Sequence, residues 1–369
     1  MSISREELRM RSYLQLVATG PELSKSLDID QAEDALSLIL EEKVDQIQSA
    51  ILLIALRMKR ETDDENLGAL NALKKGLRTA TTQSDEVLAI TDPFNGYLRG
   101  LPVTAFLPAV LASCGVPTYT HGVHSVGPKY GVTSHMVLEL LGKRVNLSVA
   151  EAVKRLDEKN LGWAYLDQKE IAPGLHGLVR LRDAMVKRTC LSTLEVVLKP
   201  ISGALRSHLM TGFVHKAYPP VYHQLAKHAG YDSGMIIRGV EGGCIPSLSQ
   251  VSRYFGYHNE GDLALYKLSP QELGIEQKLR MVPVAEDILP AMEKTSWLNT
   301  EVLKPVVERV AAEGLSALNN VRGPAMDSLI YGSSIVLSHL GICRDIKDGA
   351  DLVRAKIASG EAMAVFNAG

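Results

Sequence analysis

The spacing of apolar and polar positions divides the chain into a helical first part and an alternating remainder. From near Asp30, Ala32, Ala35, Leu36, Leu38, Ile39 and Leu40 recur at helical spacing, which predicts a helix with one face toward a core. Glu41, Glu42 and Lys43 break the pattern, and a second helix follows through Ile47, Ala50, Ile51, Ile54, Ala55 and Met58. Thr62-Asp63-Asp64-Glu65 reads as a cap with acidic residues in the first turn, where the helix dipole favours them. A third helix then runs through Leu67, Leu70 and Leu73 to about Leu77. Three short helices in succession predict a small bundle. Their apolar stripe is broader than three helices can bury, which predicts a homodimer through them. Residues 1–29 are polar and read as a frayed or loosely docked extension.

Beyond residue 80 the period changes. Glu86 to Ile90 is strand-like and leads into the turn-rich Thr91-Asp92-Pro93-Phe94-Asn95-Gly96. A helical stretch spans about Val103 to Ser113, Gly115 to Thr120 reads as the next strand, and His121-Gly122 opens another loop. Strand, loop, helix, strand is the pattern of a βαβ unit in a parallel sheet. Gly162 to Tyr165 reads as a further strand, with helices at Val149 to Leu156, Leu178 to Val186 and Leu191 to Leu198. Met235-Ile236-Ile237 then runs into Arg238-Gly239-Val240-Glu241-Gly242-Gly243-Cys244, a buried strand opening into a loop. After Pro270, helices are expected at Val306 to Leu318, Asp327 to Leu340 and Ala350 to Gly360. The expected fold class is α/β. A small α-helical domain (30–80, plus a returning segment at about 145–185) lies beside a larger α/β domain (81–144 and 186–369) with a mainly parallel sheet. In such sheets ligands bind at the carboxyl ends of strands.

Composition narrows the functions. Of 369 residues, 46% are hydrophobic, enough for a sizeable core. The net charge of −2 gives no global drive toward nucleic acid or an anionic membrane, although a local basic groove stays open. Cys114, Cys190, Cys244 and Cys343 are far apart and form no C-x-x-C pair, so neither zinc nor a disulfide framework is suggested, and a cytoplasmic setting is expected. No apolar run approaches a membrane span, and no membrane partner is expected. Arg180, Arg182, Lys187 and Arg188 share a short window, readable equally as a solvated face or as a basic wall. A second positive stretch, Arg206 to His228, interleaves Tyr218 and Tyr222 with histidines; two tyrosines are weak support for stacking. Glu241 reads as the partner of Arg238 across the turn rather than as a general base, and Cys244 as a packing residue.

Several ordered motifs, from about residue 30 to the C-terminus, resemble the anthranilate phosphoribosyltransferase family, glycosyltransferase family 3. They are Lys43 to Gln48 with Ala55 to Thr62, Gly115-Val116-Pro117 with Thr120-His121-Gly122, Lys129 and Gly131 with Leu138 to Gly142, and Lys187-Arg188-Thr189. The resemblance implies a nucleoside phosphorylase-like fold, an anionic ligand such as phosphoribosyl pyrophosphate (PRPP) or a nucleotide, and pentosyl transfer. It places ligand contacts at Asp92, Asn95, Gly96, Thr120, His121, Gly122, Lys129, Gly131, Arg182, Arg188, Arg238 and Glu241. Arg182 aligns with the arginine that contacts anthranilate.

The departures matter as much. The family's glycine-rich pyrophosphate loop becomes Asp92-Pro93-Phe94-Asn95-Gly96, and its Lys and Asn around the His-Gly become Thr120 and Val123. Its magnesium-binding Asp-Glu pair falls on Gly243 and Cys244, which supply no hard oxygen side chain, so the resemblance implies a lost magnesium site. Arg238-Gly239-Val240-Glu241-Gly242, Phe94-Asn95-Gly96 and Gly131-Val132-Thr133 look closer to a diverged, TrpD-like branch, the YbiB-like proteins. Some of that branch have been linked to nucleic-acid binding. Two expectations stay open: a pentosyl transferase that is not an anthranilate enzyme, and a non-catalytic homodimer binding nucleic acid or a nucleotide.

Overall fold

The computed structural model describes residues 3–20, 22–284 and 300–369. Its N-terminal part is a bundle of four helices, α1 (Arg5–Val17), α2 (Ile29–Leu40), α3 (Gln46–Lys59) and α4 (Asp63–Lys75). Thr62 caps α4 through a reciprocal box with Glu65, as its sequence predicts. Helix α4 lies close against α2 because Gly68 carries no side chain: a Cβ there would stand 2.2 Å from the Ile29 carbonyl oxygen. The described part of the supposed extension differs from expectation. Ser4 and Glu7 form a capping box for α1, Met10 and Val17 are buried, and the Tyr13 hydroxyl donates to Asp34 at 2.8 Å. The seam is narrow enough to hide in a polar helix.

Helix α3 turns out rotated relative to its apolar pattern. Ser49, Leu52, Leu53 and Leu56 face the core, while Ile47 and Met58 are 72% and 78% exposed. Ile47 and Ile51 therefore point outward, and Met58 at the end of the helix is exposed as well. Lys59 forms a buried ion pair with Glu65 at 2.6 Å, and Glu65 also accepts from the Leu27 N–H, locking the bundle where α3 meets α4.

The α/β domain holds strands β1 (Ala80–Thr81), β2 (Glu86–Thr91), β3 (Thr118–Gly122), β4 (Trp163–Asp167), β5 (Ile201–Ser202), β6 (Arg206–Gly212), β7 (Ser233–Ile237), β8 (Ser252–His258) and β9 (Ala264–Leu268). The main sheet has the order β4-β3-β2-β6-β7-β8-β9. Its first five strands are parallel, and β8 and β9 are antiparallel. β1 and β5 pair in parallel where the chain passes between bundle and sheet. The segment expected to return to the bundle is divided: β4 edges the main sheet, whereas Gly174 approaches Leu40 of α2. Helices Lys304–Leu318, Pro324–His339, Ile346–Ala358 and Glu361–Ala368 supply much of one core, in which Phe366 stacks on Trp163 and packs against Phe106. Among the described residues no helix is long and apolar enough to cross a membrane.

Candidate functional site

A cleft of about 560 Å³ lies where the bundle meets the carboxyl ends of β2 and β6. Arg57, Met58, Arg60, Glu61 and Asn66 form its bundle wall. Pro93, Phe94 and Asn95 follow β2, Gly212 ends β6, and Glu241 and Gly242 follow β7. Arg188, Thr189, Ser192 and Glu195 close a third side, with His215, Tyr218 and Tyr222 on the fourth. With its amide oxygen turned inward, Asn95 accepts from Arg188 Nε at 3.0 Å and Nη2 at 3.2 Å.

The loops converge because their backbones are joined. Gly131 N–H donates to the Asn95 carbonyl at 2.8 Å, and Tyr97 and Val132 exchange hydrogen bonds at 2.9 Å. Gly96 has φ +73°, and a Cβ on it would meet the Gly131 carbonyl at 2.4 Å, so only glycine fits this crossing. Glu241 joins the third loop to these two. It sits at φ +54° and turns its carboxylate inward, accepting from Leu98 N–H at 3.2 Å and Arg99 N–H at 2.6 Å. Its ion-pair partner is Lys129, not Arg238 as its sequence neighbourhood suggests. Burial outweighs that partner and pulls the Lys129 ammonium below its ordinary pKa.

Other residues implied by the resemblance fall elsewhere. Arg182 does not face the loops. It is 3% exposed and forms a bidentate pair with Glu195, Nη1 to Oε2 at 2.6 Å and Nη2 to Oε1 at 2.8 Å. Gln168 adds a 3.2 Å hydrogen bond to the same carboxylate. Thr120 lies in β3 as its sequence predicts, His121 and Gly122 extend that strand instead of opening a loop, and the cleft lining excludes all three. Neither His121 nitrogen has a partner in good hydrogen-bond geometry. Burial pushes its pKa down to about 4, weakly opposed by the Leu198 carbonyl. The neutral ring packs edge-on against Phe94, a wall of the cleft, at 5.5 Å. Asp92 stays beneath the loop, accepting from the Tyr97 hydroxyl at 2.8 Å and from Cys244 N–H at 3.1 Å. Burial raises its pKa. Arg238 lines a second hollow of about 620 Å³ with the exposed Arg99 and Arg280, and the two hollows share Val214 and Glu241.

Magnesium does not fit these residues. Gly243 has no side chain, and the buried Cys244 thiol donates to the Thr91 carbonyl at 3.2 Å. Glu241 is occupied by Lys129. Among the described residues no three His, Cys, Asp or Glu side chains could hold a metal ion together.

Comparison with known proteins assigns this architecture. Residues 11–75 match the helical bundle domain of a glycosyl transferase family, and residues 100–363 match the a/b domain of that family. The chain belongs to this glycosyl transferase family. It is 26% identical over 354 residues to an anthranilate phosphoribosyltransferase of Petrotoga mobilis, spanning 95% of this chain and 93% of the relative. A second anthranilate phosphoribosyltransferase, from Rhodopseudomonas palustris, is 24% identical over 354 residues, 96% of this chain and 95% of its own. The crystal structure of anthranilate phosphoribosyltransferase (TrpD) from Thermus thermophilus superimposes with a TM-score of 0.72 at 19% identity, covering 98% of this chain and 97% of that one. The Saccharomyces cerevisiae enzyme in complex with PRPP and Mg superimposes with a TM-score of 0.76 at 16% identity, covering 99% and 97%. These likenesses establish the fold.

Sequence reasoning missed most of the cleft's bundle wall. Arg57 and Arg60 stand at the C-terminal end of α3, and Arg60 is held at φ +68°. Their nearness to Asn95 and Gly242 follows only from how α3 docks on the sheet.

Proposed function

We propose that this protein is a pentosyl transferase of diverged specificity, acting on a phosphorylated pentose donor such as PRPP without transferring it to anthranilate. The observation that carries the reading is the cleft itself: Arg57, Arg60 and Arg188 face the backbone at Asn95, Gly212 and Gly242 at strand carboxyl ends. In the transfer, the bond from the pentose C1 to the diphosphate oxygen breaks and that oxygen keeps the electron pair. An acceptor lone pair forms the new bond at C1, and the acceptor's proton leaves to solvent. Guanidinium groups suit the growing negative charge on the diphosphate, because fixed cations in a partly water-excluded site stabilise developing charge. Anthranilate is a poor acceptor here because the arginine expected to take its carboxylate is committed to Glu195.

The test is calorimetric titration of PRPP with and without magnesium, followed by a pyrophosphate-release assay. Binding of similar affinity in both buffers is expected. Binding seen only with magnesium overturns the metal-independent part, and no PRPP binding in either buffer overturns the transferase reading. A second reading, non-catalytic binding of nucleic acid or a nucleotide, draws on the adjoining hollow with Arg99, Arg238 and Arg280. It predicts oligonucleotide affinity that falls steeply as salt rises.

A further inference from the structure

One wall of the cleft has no part in phosphate chemistry. His215, Tyr218 and Tyr222 form a ladder of rings, with centroids 6.1 Å apart for the first pair and 5.7 Å for the second. Tyr218 opens the helix Tyr218–Ala229, so Tyr218 and Tyr222 lie four residues apart on one helix face. That face lines the cleft together with Phe94 and the basic Arg188. Tyr222 is 8% exposed and lines the cleft, and its hydroxyl makes no hydrogen bond with any described residue. A phenol at the edge of a cavity is a spare donor and acceptor. An aromatic wall beside a guanidinium suits a ligand with a flat ring at one end and an anionic group at the other. The cleft volume of about 560 Å³ is within the range that holds such a molecule.

We propose that Tyr218 and Tyr222 form a subsite for a nitrogen heterocycle, in which the base stacks on the partly exposed Tyr218 and meets the tilted Tyr222 at its edge, so that the cleft binds a nucleoside monophosphate with its phosphate on Arg188 and Asn95. The inference rests on the cleft of the transferase reading and sets its specificity: the acceptor is a heterocyclic base, and the transfer product is its monophosphate. The Tyr222 hydroxyl contacts the ring edge and selects among bases.

The experiment compares AMP, UMP and ribose 5-phosphate by calorimetry on the full chain. Ribose 5-phosphate keeps the sugar phosphate and lacks the base. At least one nucleotide is expected to bind about tenfold or more tightly than ribose 5-phosphate, since aromatic stacking of one base is commonly of that size. Tyr218→Ala and Tyr222→Ala should each shrink that ratio toward one while leaving ribose 5-phosphate affinity unchanged. Tyr222→Phe, which preserves packing, should keep the stacking gain but narrow the difference between AMP and UMP. Equal affinity for nucleotides and ribose 5-phosphate in the native chain overturns the proposal. So does a tyrosine variant that weakens all three probes alike. PRPP separates the two readings: nucleotide binding with a tyrosine-dependent base contribution but no PRPP binding leaves the stacking subsite standing and removes the donor chemistry. PRPP binding without a base contribution does the reverse.

Discussion

The Glu241–Lys129 pair offers the sharpest test of how the cleft is held together. Replacing Glu241 by Gln removes the charge while keeping nearly the same volume. The carboxylate satisfies two backbone N–H groups, of Leu98 and Arg99, and one buried ammonium, so all three sites of the change sit in the loop crossing. Glu241 is 8% exposed at its side chain and Lys129 14%, so water can reach neither freely to compensate. An amide in this place turns an N–H₂ toward donors already present, and one N–H is left facing another. Breaking a buried pair from one side typically costs ~3–5 kcal/mol. The lost charge-assisted hydrogen bonds, ~1.5–3 kcal/mol each in isolation, overlap with that figure rather than add to it. A loss of about 3–5 kcal/mol in unfolding free energy is expected.

The assay is equilibrium urea denaturation of the native chain, Glu241→Gln, Lys129→Met and the double variant at neutral pH. The double variant removes both charges together, so its loss should fall short of the sum of the single losses by ~1–3 kcal/mol. Single losses below about 1 kcal/mol, or strict additivity, would refute the claim that this pair joins the three loops. Affinity for PRPP should fall in Glu241→Gln as well, because the Asn95 and Gly242 walls lose the contact that sets their spacing.

Other expectations separate structural from ligand-facing groups. Arg182→Ala should cost about 3–5 kcal/mol by stranding Glu195, whereas Arg188→Ala, which frees only the neutral Asn95 amide oxygen, should lower the urea midpoint much less and weaken PRPP binding in the same calorimetric assay. Turnover of anthranilate, followed by its fluorescence, should be absent or very weak; ordinary turnover would overturn the diverged-specificity reading. Light scattering at micromolar concentration should give a dimer, and Ile47→Glu with Ile51→Glu on the outward face of α3 should give a monomer; a monomeric native chain counts against that interface. His121 has a folded pKa of about 4 against an ordinary 6.5, so the unfolded chain takes up its proton first as pH falls. The stability tied to a neutral His121 is present above 6.5 and lost between 6.5 and about 4, roughly 3 kcal/mol in all by linkage. His121→Phe should flatten the acid side of the urea-midpoint profile by that amount relative to the native chain.

The parts of this molecule legible in sequence are those whose side chains report burial by polarity alone. Leu36 and Ile39 in α2 and Met235 to Ile237 in β7 follow that rule, the cap at Thr62 is legible because its partner Glu65 is three residues away, and the division into a bundle and a mainly parallel sheet follows from them. Strand β6 breaks it. Arg206-Ser207-His208-Leu209-Met210-Thr211-Gly212 looks polar, yet six of its seven residues are buried at the centre of the sheet. It can be buried because its polar groups find partners far off in sequence: His208 Nδ1 meets Ser233 Oγ at 2.7 Å, and the Thr211 hydroxyl donates to the Thr91 carbonyl at 3.3 Å. A local pattern cannot price a polar residue whose partner lies 25 or 120 positions away. The same physics governs the site. Arg182 and Arg188 lie in one basic window, and nothing local distinguishes them. Glu195, thirteen residues beyond Arg182, neutralises one inside the fold and leaves the other on the cleft wall. Glu241 likewise appears matched to Arg238, but a left-handed turn swings its carboxylate across to Lys129. In this chain the choice of ion-pair partner decides which charges remain for a ligand, and that choice belongs to the tertiary packing rather than to the motif.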